Sequence, residues 1–259
     1  MNDLQTSSFS AAAGLSVRNL RNIRRLPSAF LPALLMPIFQ TVAFSGTFFA
    51  ITQVPGFPTD RSINWYMPLG VVMGSSFAGV GIGFSTVRDL ESGFYDRIRM
   101  SPAPRRALLL GPLLSALTRA VMVVALVTII SFGLGARTTG GPLALVTLLA
   151  AGAGMSVIGT GWGLGLAYRF KDMRAAAIMQ LTLFLGLFLT TAQAPLSIME
   201  GWLYDVARLN PFTQILQLAR AGFVDQMAWQ HIWGGLVAIV VISILTTTFA
   251  WTGLRRLQD

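Results

Sequence analysis

The sequence contains no cysteine and little charge. Only 11% of its residues are charged and only ten are acidic, whereas an ordinary soluble domain carries roughly 25% charged residues. The lack of cysteine excludes disulfides, thiolate metal sites and cysteine nucleophiles. In contrast, 54% of the residues are hydrophobic. These values indicate a polytopic membrane protein, because so few charges cannot cover the surface of a soluble globule of 27.9 kDa.

Groups that carry catalysis are equally scarce. The sequence has one histidine, His231, and no acidic residue adjoins it, so neither a zinc pair nor a catalytic triad is indicated. A phosphate-binding P-loop needs the pattern Gly-x-x-x-x-Gly-Lys-Ser/Thr. The single lysine, Lys171, stands instead between Phe170 and Asp172. We therefore expect a chain that is not an enzyme, holds no metal and does not itself hydrolyse ATP.

Long apolar runs recur along the chain, and no segment shows the ten-residue alternation of a membrane β-barrel. A bilayer core of about 30 Å needs roughly 20 helical residues, and six stretches meet this length: Phe30–Ile51, Asn64–Val87, Leu108–Phe132, Pro142–Tyr168, Ala175–Gln193 and Gln230–Gly253. The sequence predicts an all-α integral membrane protein with six transmembrane helices, in a single domain over residues 1–259.

The distribution of positive charges predicts which side of the membrane each connection faces. Fourteen of the nineteen basic residues fall in the N-terminus, the second-to-third and fourth-to-fifth connections and the C-terminus. The opposite side has four, namely Arg61, Arg137, Arg208 and Arg220. Basic residues accumulate on the cytoplasmic side, so we expect a multi-pass protein of the cell membrane with both termini in the cytoplasm. No soluble face collects the bases, so a nucleic-acid partner is not indicated.

The predicted spans contain no Asp, Glu or Lys. Ion-coupled carriers usually place ionisable groups near the middle of the membrane. Backbone carbonyls can also bind sodium, so the pattern weakens a secondary carrier without excluding it. It favours transport that is powered by another chain.

Three segments outside the spans have structure of their own. Residues 15–26 are typical of a basic amphipathic helix on the cytoplasmic leaflet of the lipid bilayer. Residues 88–101 predict a short helix in the cytoplasmic loop. Residues 194–229 form a long outer connection whose apolar stretch, Phe212–Leu218, is too short to span and suits a re-entrant or interfacial helix.

Glycines at GxxxG spacing occur in the second and fourth spans: Gly70/Gly74, Gly79/Gly83, Gly159/Gly163 and Gly161/Gly165. This spacing lets two helices approach closely. The helices brought together can belong to one chain or to two copies in a dimer, and the sequence leaves both readings open.

The cytoplasmic loop concentrates both signs of charge. Asp89 and Glu91 suit the first turn of a helix, and Arg97 and Arg99 suit its end, where Pro102 stops it. An apolar stripe accompanies them at Leu90, Phe94 and Ile98. A helix of this kind is suited to docking a cytoplasmic partner, although a solvated loop on lipid headgroups fits the same residues.

The same loop resembles the permease subunits of type-2 ATP-binding-cassette exporters, especially the daunorubicin-type drug exporters, whose pattern is DLxxGxxDRxRxxPxxR. The matching residues are Asp89, Leu90, Gly93, Asp96, Arg97, Arg99, Pro102, Arg105, Leu108, Gly111 and Arg119. A second similarity is Leu209-Asn210-Pro211-Phe212 followed by Arg220.

The resemblance implies that the loop is a coupling helix seated in a separate ATPase subunit. The residues that would carry this coupling are Asp89, Glu91, Gly93, Phe94, Asp96, Arg97 and Arg99. It also implies two permeases, identical or different, and two ATPase subunits. ATP and Mg²⁺ would then bind the ATPase, with no cofactor on this chain, and the substrate path would lie between the permeases.

Residues of the substrate path are predicted on the second and fifth spans, which the resemblance places toward the dimer axis. The candidates are Met73, Phe77, Phe184 and Phe188. Phe184 and Phe188 share a helix face, which suits an aromatic ligand but also suits core packing or contact with lipid. Arg119 is the lone charge within a span. Either the third span starts later than Leu108, or the side chain snorkels toward an end, or it faces a polar cavity or headgroup site.

The function expected from these features is export of an amphiphilic, drug-like molecule, as in antibiotic resistance, or of a lipid. Export of a lipid-linked glycan and an ATP-independent channel or facilitator remain alternatives. A membrane enzyme acting on lipid is the least favoured, because catalytic groups are so few.

Overall fold

The computed structural model describes residues 13–18, 21, 27–93, 95, 106–224 and 227–257, and for residues 27–34 it describes the backbone only. Every regular element within these ranges is helical, which confirms the all-α class. After a short helical stretch at residues 13–18 come α1 (Pro27–Thr47), α2 (Ser62–Glu91), α3 (Ala107–Gly133), α4 (Pro142–Phe170), α5 (Arg174–Phe188), α6 (Trp202–Leu209), α7 (Pro211–Arg220) and α8 (Trp229–Arg256).

Four helices of the described ranges are long and apolar enough to cross a membrane: α2, α3, α4 and α8. Helix α5 has 15 residues and falls short of that length, and α1, with 21 residues, is not among the four. The expectation of six spans is therefore supported for four.

Two of the predicted spans extend past the end of their helices. Helix α5 ends at Phe188 rather than Gln193, because the side-chain amide of Asn210 donates to the carbonyls of Gly186 and Leu189 where the helix stops. Helix α1 ends at Thr47 rather than Ile51, just after Gly46, and a 3-10 turn follows at Phe49–Gln53.

Helices α2 and α4 form the centre of the bundle. Helix α2 packs against α1, α3, α4, α5 and α7, while α4 also contacts α8. The bundle has two ends. The terminal end carries residues 13–18, residue 95 and the end of α8. The loop end carries residues 48–61, 134–141, 189–224 and 227–228.

The GxxxG glycines pack helices of one chain. A methyl group added at Gly83 would lie 2.7 Å from the Cα atom of Gly163, and one at Gly79 would lie 2.9 Å from the backbone nitrogen of Thr160. Gly165 faces Phe249 of α8 in the same way. Packing within the chain therefore accounts for these glycines, and none of these contacts needs a second copy.

The start of the predicted coupling helix differs from the structure. Residues 88–91 continue α2, so Asp89 and Glu91 lie in its last turn instead of the first turn of a new helix. The helix ends at Glu91, with Ser92 as its cap, because Gly93 follows with a φ of 67°, the left-handed conformation that commonly ends helices at glycine. Of the predicted helix after Gly93, only residue 95 lies within the described ranges.

Candidate functional site

The terminal end joins the N-terminal helical stretch to the last turn of α2. Both terminal nitrogens of Arg18 donate to the carboxylate of Asp89, at 2.8 Å and 2.7 Å. The pair is partly enclosed, with 34% of the Arg18 side chain and 18% of the Asp89 side chain exposed. A bidentate pair of this kind is both stronger and more directional than a single hydrogen bond. Asp89, predicted for coupling from the sequence, is therefore held in place by residue 18.

A pair of tyrosines ties the loop after α2 to the bundle. The hydroxyl groups of Tyr95 and Tyr168 lie 3.1 Å apart, and Tyr168 also donates to the carbonyl of Leu108 at the start of α3. Tyr95 is 8% exposed, and this burial raises the pKa of its hydroxyl to about 12. The hydroxyl therefore stays neutral at physiological pH, and residue 95 is anchored to α3 and α4.

The space beside these contacts is too small for a substrate. A cavity of about 20 Å³ lies between Arg18, Asp89, Tyr95 and the start of α3. It has room for about one water molecule, whereas pockets for drug-sized ligands measure roughly 300–1,000 Å³.

The other coupling candidates are placed as follows. Glu91 is exposed at the end of α2, and Gly93 forms the turn that ends the helix. Phe94, Asp96, Arg97 and Arg99 lie outside the described residues. Their coupling role stays a prediction.

The path candidates differ in burial. Met73 is 1% exposed and belongs to the core around α2. Phe77, Phe184 and Phe188 are partly buried against that core. The rings of Phe184 and Phe188 stack with their centres 4.2 Å apart, which agrees with their predicted shared face. Their part in a substrate path stays a prediction.

Arg119 lies well inside α3 and is 6% exposed. Helix α3 begins at Ala107, one residue before the predicted start, so the helix does not begin later as one alternative supposed. One terminal nitrogen of Arg119 donates to the carbonyl of Ala78 on α2 at 3.4 Å. The side chain thus faces the neighbouring helix at a depth of about 18 Å along α3.

At the loop end, Asn210 explains the second sequence similarity. Its carbonyl oxygen accepts from the backbone N–H of Phe212 and caps α7. Its amide donates to the carbonyls of Gly186 and Leu189. One side chain therefore starts α7 and fixes it to the end of α5. Asparagine is suited to both tasks because it carries a donor and an acceptor.

Arg220, at the end of α7, is 5% exposed and donates to three backbone carbonyls. The acceptors are Trp65 (3.3 Å), Thr191 (2.8 Å) and Ala192 (3.2 Å), and the Thr191 hydroxyl accepts a further bond at 3.1 Å. The guanidinium carbon lies 3.4 Å from the centre of the Trp65 ring, a cation–π geometry. The arginine therefore joins α7, α2 and residues 191–192.

Sequence reasoning missed three residues that join segments of the bundle. Asn64 donates to the carbonyls of Arg137 and Phe223 and accepts from the N–H of Arg137, which fastens three segments at the loop end. It is the one asparagine in the predicted spans, a signal that would have singled it out. The Tyr95–Tyr168 pair had no such signal, because tyrosines near a membrane interface are common.

These features define a class: a helical membrane protein in which side chains join segments distant in sequence at both ends of the bundle. The ABC-2 type transporter family model matches residues 13–224. The chain belongs to this family, and it is the membrane-embedded transmembrane subunit of an ABC transporter, in which ATP hydrolysis is carried by a separate chain.

Two curated relatives agree with this assignment. The daunorubicin resistance ABC transporter permease protein DrrB1 of Streptomyces coeruleorubidus is 26% identical over 235 residues, which cover 86% of this chain and 80% of the relative. The putative transport permease ycf38 of Pyropia yezoensis is 21% identical over 245 residues, covering 89% and 83%. The resemblance inferred from the coupling loop is confirmed.

Proposed function

We propose that this chain forms half of the pathway of an ATP-driven exporter that moves an amphiphilic small molecule out of the cell. The ATPase subunit binds at the terminal end, around residues 88–101, and a second permease copy completes the pathway. ATP and Mg²⁺ bind the ATPase chain. The observation that carries the proposal is the set of contacts that ties this loop to the helices behind it.

A displacement of the loop reaches three helices by direct contact. Asp89 belongs to α2, and Tyr95 lies just past the turn at Gly93. Tyr168 brings α4 into the same cluster and also bonds to Leu108 of α3. An ATPase that moves this loop would therefore shift α2, α3 and α4 together, and α2 and α4 are the central pair of the bundle.

The proposal places the terminal end in the cytoplasm, where ATP is available. This orientation is supported by the fourteen basic residues assigned to that side.

The proposal also takes α1 and α5 as membrane spans. Helix α1 is about 31 Å long, which matches the hydrocarbon core, and α5, at about 22 Å, is extended by the buried segment Thr190–Ala192. Helix α7, with ten residues, then enters from the outer face without crossing.

An amphiphilic substrate is supported by the aromatic pair and by the relatives. Phe184 and Phe188 present stacked rings beside α2, and such rings bind flat apolar molecules. One relative is named for daunorubicin resistance. We therefore take daunorubicin as the probe for transport assays.

The test is the charge reversal Glu91→Arg in the complete transporter, reconstituted with its ATPase in proteoliposomes. Glu91 is exposed, so the variant should fold, while a reversed charge at an ATPase interface weakens docking. We expect ATP-dependent uptake of daunorubicin to fall by about tenfold or more, and co-purification of the ATPase to decrease. The matched control is Glu200→Arg, an exposed reversal at the loop end, which should leave both unchanged.

Two outcomes contradict the proposal. Normal transport and co-purification by Glu91→Arg would move the docking site away from the end of α2. Daunorubicin flux through liposomes that contain this chain alone, without ATPase or nucleotide, would show a channel or facilitator instead of an exporter subunit.

A further inference from the structure

A cavity of about 180 Å³ lies at the loop end, where the start of α2, residues 191–197, the end of α7 and the start of α8 meet. Its polar lining comes from Trp65, Thr191, Ser197, Gln217, Arg220 and His231. A water molecule occupies roughly 30 Å³ in the liquid. The cavity therefore has room for a group of the size of a phosphate or a carboxylate, and not for a whole lipid.

The charge of Arg220 is not balanced by an acidic side chain among the described residues, where the ion pairs are Arg18 with Asp89 and Arg174 with Asp172. The hydrogen bonds of its guanidinium all go to neutral oxygens, and they occupy four of its five N–H groups. Neutral acceptors solvate a buried cation but leave its charge in place. An anion in the cavity would gain both the remaining donor and the charge.

Other donors surround the same space. Gln217 and His231 line the cavity, and neither side chain has a hydrogen-bond partner among the described residues. Trp65, 4% exposed, forms part of the wall, and its indole N–H has no acceptor among those residues either. Buried indole N–H groups are normally paired. The lining thus offers several donors and one uncompensated positive charge.

The rest of the lining is apolar and includes Pro195, Leu196 and Val224. A free inorganic anion would gain little from these residues, whereas the carbon atoms next to an anionic headgroup would pack on them.

We propose that this cavity binds the anionic headgroup, a phosphate or a carboxylate, of an amphiphilic molecule. Arg220 provides the charge, and Gln217 and His231 provide adjustable hydrogen bonds. The headgroup belongs either to a phospholipid of the surrounding leaflet or to another acidic amphiphile. The inference concerns binding alone and does not depend on transport or on the ATPase.

The test measures binding of short-chain lipids to the full chain, purified in an uncharged detergent, by native mass spectrometry. The probes are dihexanoyl phosphatidylglycerol, dihexanoyl phosphatidylcholine, decanoate and inorganic phosphate. We expect phosphatidylglycerol to bind more tightly than phosphatidylcholine, whose choline group would meet the positive charge of Arg220. The variants Gln217→Leu and His231→Leu should each weaken binding of phosphatidylglycerol by about tenfold, because each loses a hydrogen bond to a charged group.

The matched control is Gln230→Leu, which removes an exposed amide beside His231 and outside the cavity lining. It should bind like the unmodified protein. Because Arg220→Lys risks the fold of the loop end, the two lining variants carry the test. If decanoate binds and phosphatidylglycerol displaces it, the cavity accepts acidic amphiphiles in general. If phosphatidylglycerol binds and decanoate does not, the cavity accepts the phospholipid.

Three results would overturn the proposal. One is equal binding of phosphatidylglycerol and phosphatidylcholine. Another is unchanged binding in both lining variants. The third is tight binding of inorganic phosphate with no gain from the acyl chains, which would leave a free-anion site and no amphiphile. Export by the complete transporter could persist in each case, so failure here is distinguishable from failure of the proposed function.

Discussion

The two ends of the bundle are fastened in different ways. At the loop end, Asn64, Asn210 and Arg220 donate to backbone carbonyls of segments that are distant in sequence. A backbone acceptor cannot rotate out of the way, so each bond fixes the path of the chain itself.

At the terminal end, two links that involve the predicted coupling loop join one side chain to another. They are the Arg18–Asp89 ion pair and the Tyr95–Tyr168 hydroxyl pair. Side chains can exchange partners by changing rotamer while the helices stay intact. We therefore expect that breaking a contact at the loop end lowers stability, while breaking one at the terminal end lowers the coupling of ATP hydrolysis to transport.

The largest effect is expected for Arg220→Met. This substitution keeps much of the side chain's volume but leaves the buried carbonyls of Trp65, Thr191 and Ala192 without their donor. A buried acceptor left unsatisfied costs about 1–3 kcal/mol, so we expect a loss of about 3–5 kcal/mol in the free energy of unfolding. The loss is measured by heating the purified protein to a series of temperatures and recording, by size-exclusion chromatography, the fraction that still elutes as folded protein. Arg208→Met, an exposed arginine of α6, is the control, and equal losses in both variants would contradict the comparison.

A smaller loss, about 2 kcal/mol, is expected for Asn210→Asp. The aspartate can still accept from the N–H of Phe212 and cap α7, but it faces the carbonyls of Gly186 and Leu189 without a donor. The same unfolding assay applies. Gln230→Glu, at an exposed position of the loop end, is the matched control.

If Asn210→Asp unfolds like the unmodified protein, Asn210 acts only as a helix cap. The loop end would then not depend on the carbonyl contacts that distinguish it. Asn210→Ala, which loses the cap as well, should be the less stable of the two variants unless the repulsion between carboxylate and carbonyls exceeds the cap energy of about 1 kcal/mol.

The sequence was sufficient to find the long helices, because their apolar composition is a local property. Helix α4 begins at Pro142, as predicted, since Gly140 and Gly141 precede an apolar run that opens with proline. The end of α5 could not be predicted, because it depends on Asn210. The side-chain amide of Asn210 donates to the last carbonyls of α5, and Asn210 comes 21 positions after Leu189. Spans are thus readable from composition, while their ends depend on tertiary contacts.

The candidate site shows the same limit. Asp89 was chosen for its motif, but its partner, Arg18, lies 71 positions earlier, and nothing local marks the two as neighbours. The acidic pair was also assigned to the start of a helix, whereas α2 continues to Glu91. Acidic residues favour a helix start by only about 0.3–1 kcal/mol, which is too weak to end a long apolar helix before the glycine at position 93.

The smallest effect on stability is expected at the terminal end, where the chain offers two ion pairs to compare. Arg18 and Asp89 form a bidentate, partly enclosed pair. Arg174 and Asp172 approach to 3.5 Å, with 91% and 48% of their side chains exposed. A double-mutant cycle of Arg18→Gln and Asp89→Asn should give a coupling energy of about 1 kcal/mol, and the cycle of Arg174→Gln and Asp172→Asn should give one near zero.

A transport assay then tests whether the Arg18–Asp89 pair contributes to coupling or only to stability. If it holds the coupling loop in position, Asp89→Asn should lower daunorubicin uptake per ATP hydrolysed several-fold, well beyond its effect on unfolding, while Asp172→Asn changes neither. Because the pair is partly exposed, 1 M salt should shrink the coupling energy of its cycle. A loss of transport no larger than the loss of folded protein would mean that the pair only stabilises the terminal end, and the contrast between the two ends would disappear.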